Sequence, residues 1–84
     1  MPVLSRFYGM VIRMYFQQSE HNPPHIHVIY GDNVAAFDFV KNKIIEGYLP
    51  PKALSMVKEW CDNHRDELID IWNTQEFKEI EPLN

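Results

Sequence analysis

Apolar and polar positions along this chain follow two periods, and the change between them falls near Pro50. From Phe7 to Phe16 the run is β-branched and aromatic with little turn character, which predicts a strand. Met10, Ile12, Met14 and Phe16 then share one side, and Val11, Arg13 and Tyr15 the other. Gln17 to Pro24 is polar and ends in two prolines. It predicts a loop, because proline lacks a ladder donor and restricts the residue before it. His25 to Tyr30 predicts a second strand, with Ile26, Val28 and Tyr30 facing one way and His25, His27 and Ile29 the other. Gly31-Asp32-Asn33 signals a tight turn and hence a hairpin. Val34 to Val40 follows as a third strand, with Ala35, Phe37 and Phe39 apolar and Ala36 and Asp38 opposite. Lys41-Asn42-Lys43 reads as a turn, and Ile44 to Tyr48 as a short fourth strand.

After Leu49-Pro50-Pro51 the period becomes helical, with proline tolerated in a first turn. Leu54, Val57, Cys61, His64, Leu68 and Trp72 recur at steps of three and four, and Trp60 and Ile71 widen the stripe. The stripe keeps its phase through Asp62-Asn63-His64. One helix from about Pro51 to about Gln75 is therefore favoured over two helices with Asn63 capping the second. Glu76 to Asn84 predicts an irregular tail that Pro82 keeps out of the helix.

These faces define an α+β fold in one domain over residues 1–84, an antiparallel sheet of about four strands covered on one face by a long C-terminal helix. Met10, Ile12, Met14, Phe16, Ile26, Val28, Tyr30, Phe37 and Phe39 should meet Leu54, Val57, Cys61, Leu68 and Trp72. The uncovered face should carry Arg13, Tyr15, His25, His27, Asp38 and Glu46.

Composition narrows the function classes. An apolar fraction of 45% suits an ordered core, although a chain of this size buries only about 60–65% of its unfolded surface. Cys61 is the only cysteine, which fits a reducing cytosol. No segment is long enough to span a membrane, and Met1 to Arg6 does not open a secretion signal. A cytoplasmic protein is expected. The net charge of −4 argues against nonspecific nucleic-acid binding, which needs an excess of positive charge.

The densest chemistry lies in His21-Asn22-Pro23-Pro24-His25-Ile26-His27, which holds three of the four histidines. Two imidazoles alternating along a strand emerge on one face with Cα atoms about 6.5–7 Å apart, so both reach one ion. His21 as a third ligand and Asp38 or Glu46 as a fourth would give a site for zinc or another divalent transition metal. Against this, no His-Glu-x-x-His or cysteine pair reinforces the signal. The same histidines also suit metal-free RNA cleavage, with one imidazole as base, the other as acid, and Arg13 on the developing charge. In a third reading Asn22-Pro23-Pro24 only shapes the loop, with a cis prolyl bond as one way to do so, and His21 braces it.

Elsewhere the structural readings prevail. His64 on the helical stripe reads as a satisfied boundary residue, Trp60 and Trp72 as core anchors, and Cys61 as a small buried hydrophobe. Glu59, Asp62, Asp66, Glu67 and Asp70 read as the solvated face of the helix.

Several segments together resemble a small prokaryotic family, domain-of-unknown-function family 4160. They are Ser5-Arg6-Phe7-Tyr8-Gly9, Val11-Ile12-Arg13-Met14-Tyr15-Phe16, the His21 to His27 motif, Ile45-Glu46-Gly47, Leu49-Pro50, Glu59-Trp60, and His64-Arg65-Asp66-Glu67-Leu68 with Trp72. Family members typically carry an aromatic where this chain has Ile26. Their genes often adjoin another small gene, an arrangement similar to a toxin–antitoxin pair. The resemblance therefore implies a small protein partner, but it brings no catalytic residues. Two function classes follow. The leading one is an interaction module of a toxin–antitoxin-like or regulatory pair that needs no cofactor. The other is a small hydrolase acting on RNA through His25, His27 and Arg13, or a metal-binding enzyme. Tyr15, His21, Asp38 and Glu46 border the patch in each case.

Overall fold

The computed structural model describes residues 2–15 and 23–84. Among these residues five strands form one antiparallel sheet in chain order: β1 (Val3–Phe7), β2 (Met10–Arg13), β3 (His25–Tyr30), β4 (Asn33–Asp38) and β5 (Lys43–Gly47). One helix, α1 (Pro51–Thr74), follows.

The strand expected over Phe7 to Phe16 is thus two strands. The chain reverses at Tyr8-Gly9, both with positive φ (50° and 80°), the requirement of a type I′ hairpin turn. Phe7 pairs with Met10 across it. Tyrosine in the first turn position hides the hairpin from a sequence reading, because Asn-Gly or Asp-Gly is the usual signal. Expected face assignments survive the split: Met10, Ile12 and Met14 are buried, while Val11, Arg13 and Tyr15 are half-buried. The second hairpin turns at Gly31-Asp32 and pairs Tyr30 with Asn33. Phe16 lies outside the described residues.

A bulge shapes β5. Ala36 pairs with Glu46 but Phe37 pairs with Ile44, leaving Ile45 as the extra residue. This insertion lets Ile44 pack on the core while Glu46 returns to the opposite face. At Gly47, φ is +85° and an added Cβ would fall 2.0 Å from the Val34 carbonyl oxygen. Only glycine permits that approach of β5 to β4.

The core lies between the sheet and α1. Leu4, Met10, Ile12, Met14, Ile26, Val28, Phe37 and Phe39 meet Ala53, Val57, Trp60, Cys61, Leu68 and Ile71. Full burial of each large apolar side chain contributes roughly 1.5–3 kcal/mol. The helical stripe is rotated from its expected centre: Ala53, Trp60 and Ile71 are buried, whereas Leu54, His64 and Trp72 are half-buried. Burial pushes the Cys61 thiol up to about 12, so it stays protonated and unreactive.

The helix continues through residue 64, as expected, but with a kink. His64 has non-helical torsions (φ −127°, ψ 20°). Its ring lies 5.4 Å from the Trp60 ring, and its Nδ1 lies 2.9 Å from Glu67 Oε1. One residue on, Arg65 donates from Nε to the Phe39 carbonyl (2.7 Å) and from Nη2 to Asn42 Oδ1 and Asp62 Oδ1 (2.7 Å each). These bonds hold the β4–β5 turn against the helix. The Arg65 hydrogen bond, then the Asn42 one, holds the Asp62 carboxyl below its ordinary value.

The tail after α1 is irregular but anchored. The Ile80 amide donates to the Leu4 carbonyl (2.7 Å), and Trp60 Nε1 donates to the Glu81 carbonyl (2.8 Å). The tail thereby closes the outer edge of β1. Among the described residues, no helix is long and apolar enough to cross a membrane.

Candidate functional site

Alternation along β3 buries Ile26 and Val28 against the helix and turns His25 and His27 to the other face. Cross-strand register then assembles the site. Arg13 on β2 opposes His27, His27 opposes Ala36 on β4, and Ala36 opposes Glu46 on β5. Directly opposed residues have Cβ atoms about 4.5–5.5 Å apart. A single row Arg13–His27–Ala36–Glu46 therefore crosses four strands, with the small Ala36 between the imidazole and the carboxylate.

A chain of ring contacts crosses that row. Tyr15 meets His27 edge-on at 4.4 Å between ring centroids. The His27 and His25 rings are 5.1 Å apart, and the His25 and Trp72 rings 5.3 Å apart. Trp72 belongs to the last turns of α1 and reaches His25 where β3 begins. The expected separation of the histidine face from the helix thus fails at its His25 end. Both imidazoles are half-buried, where exposed ones were expected.

His25 Nδ1 lies 2.8 Å from the Pro23 carbonyl oxygen. Because a carbonyl only accepts, Nδ1 carries the proton in this contact. The proline-rich segment thus orients an imidazole, and no cis peptide bond occurs among the described residues.

Burial, then the neighbouring charge of His25, lowers the His27 pKa from its ordinary 6.5, with Glu46 opposing. His27 is therefore neutral at pH 7. Arg13 Nε is buried without a hydrogen-bond partner among the described residues. Leaving such a donor unsatisfied costs about 1–3 kcal/mol.

Of the residues expected at this site, Arg13, Tyr15, His25, His27 and Glu46 come together. Asp38 opposes His25, but its Oδ1 accepts the Val40 and Lys41 amides at 2.9 Å each. It is a buried holder of the β4–β5 turn. His21 lies outside the described residues. Among the described residues, no group of three His, Cys, Asp or Glu side chains could hold a metal ion. Sequence reasoning assigned Trp72 to the core alone. Its place at the end of the helical stripe was legible, but its reach to His25 depends on where the helix ends over the sheet.

A family model described as "Domain of unknown function (DUF4160)" matches residues 9–73 of the chain, which covers the whole row, both histidines and Trp72. No curated protein matches the chain, and no solved structure does.

Proposed function

Since the chain belongs to the DUF4160 family, whose description assigns no function, we propose from its site that it is an interaction module. In this reading the histidine face docks a small protein partner in the cytoplasm, as half of a toxin–antitoxin-like or regulatory pair. One observation carries the proposal: the buried, unpartnered Arg13 Nε sits in a row with His27. When the Arg13 guanidinium turns outward to a partner's carbonyl or carboxylate, it gains a charge-assisted hydrogen bond and removes a cost already present in the free protein. The surrounding residues support it, since Trp, Tyr and Arg dominate binding energy at protein interfaces. Tyr15 and Trp72 flank the two histidines by ring contact.

A second reading, metal-independent RNA cleavage, draws on the 5.1 Å His25–His27 contact. A lowered His27 would serve as base and His25 as acid. The net charge of −4 weakens it, because a polyanion must be drawn to this face by few cations.

Co-expression with the small neighbouring gene product that the family resemblance implies distinguishes the readings. The pair should co-purify, and Arg13→Ala or the His25→Ala, His27→Ala double substitution should release the partner while thermal unfolding shifts little. Retention of the partner by both variants would refute the proposal. Cleavage of RNA by the purified chain, lost in the double variant, would establish the second reading instead.

A further inference from the structure

We propose that two copies of this chain associate through their β5 edges, extending the sheet antiparallel across a twofold axis. The two outer edges of the sheet are treated differently. That of β1 is closed by the tail through the Ile80–Leu4 hydrogen bond. Among the described residues β5 pairs only with β4, so a row of its backbone donors and acceptors faces outward, the usual template for another strand. Ile45 stands on that edge, 41% exposed.

Charge complementarity selects a second copy as the occupant. Laid antiparallel on itself, Lys43-Ile44-Ile45-Glu46 places each Lys43 opposite the Glu46 of the other copy and each Ile44 opposite Ile45. The faces of the charged pair agree with this register, because the bulge at Ile45 brings Lys43 and Glu46 to one side of β5. Lys43 pairs with Asp38 and Glu46 with Ala36, both on the histidine side of β4, while Ile44 pairs with Phe37 on the core side. Opposed residues in a sheet must share a face, and these charges do. Edge lysines ordinarily discourage pairing. Here they penalise only the registers that stack Lys43 on Lys43 or Glu46 on Glu46, and favour the one that alternates the charges.

The interface is isologous, as a twofold dimer requires. It joins the histidine faces of both copies into one surface, with Lys43 of the second copy beside Glu46. A single pair of short strands falls below the roughly 800 Å² per partner of a standard interface, so the dimer is weak and concentration-dependent. The inference is independent of what the histidine face binds.

Sedimentation equilibrium of the full chain up to about 1 mM tests it. The chain should show a monomer–dimer equilibrium. Lys43→Glu alone and Glu46→Lys alone each turn two attractive pairs into repulsive ones and should weaken association about tenfold or more. Mixing the two single variants should form heterodimers of near-original affinity, and the K43E/E46K double variant should recover self-association. Circular-dichroism melts confirm that the variants are folded. A chain that stays monomeric at about 1 mM, single variants that dimerise as well as the parent, or a mixture that fails to associate would each overturn the proposal.

Discussion

Two clusters in this protein use the same residue types, an arginine, histidine, a tryptophan and a carboxylate, and differ in how far their hydrogen bonds are complete. At the helix kink, Arg65 donates to a backbone carbonyl and to two side chains, His64 meets Glu67, and the Trp60 indole donates to the tail. On the sheet face, Arg13 keeps a buried Nε without a partner, and two imidazoles crowd each other between Tyr15 and Trp72. Composition alone would not separate a scaffold from a site here. The state of the donors does: Arg65 spends its donors within the fold and fastens it, whereas Arg13 keeps a buried donor that no described residue satisfies, the feature on which the proposed docking role rests.

The tryptophans give the largest test. Trp60→Ala should lower stability by about 3–5 kcal/mol, since its ring is fully buried. Trp72→Ala should cost about half as much. Equal losses in urea unfolding would show that the sheet face is scaffold too. The arginines come next. Arg65→Ala should cost about 2 kcal/mol, the range for hydrogen bonds to charged groups, while Arg13→Ala should be neutral or stabilising, because it removes a buried donor that the free chain leaves unsatisfied. The reverse order would break the distinction between the clusters.

The smallest effect is pH dependence at His27. Its folded pKa is lowered, so between the folded and unfolded values the unfolded chain holds the extra proton, and stability rises with pH. The contribution is complete above the ordinary 6.5 and is lost as the pH falls toward and through the folded value. Unfolding midpoints measured from about pH 5 to 8 should show this slope in the parent and a shallower one in His27→Gln. An unchanged slope would place His27 in solvent.

Local rules exposed much of this in the sequence. Period-two alternation predicts that Ile26 and Val28 enter the core while His25 and His27 leave it, and adjacency of strands predicts Arg13 beside His27. What escaped was decided by contacts between distant residues or by single-residue geometry. The Tyr8-Gly9 turn lacks the usual composition. The Ile45 bulge depends on fitting β5 to β4. Asp38 shares a face with His25, as alternation requires, yet its carboxylate is committed to the next turn. Arg65 reaches the Phe39 carbonyl, and Trp72 reaches His25, only once the helix lies on the sheet.

The hydrogen bond between the Ile80 amide and the Leu4 carbonyl also orders events in time. Leu4 and Ile80 stand far apart along the chain, so this bond forms only when a long loop has closed. Until residue 80 docks, β1 has a neighbour on one side only and Trp60 lacks its Glu81 acceptor. Closing a loop of that length is slow compared with making the hairpins between successive strands. The tail is therefore expected to dock after the hairpins have formed, and β1 carries an open strand edge until then.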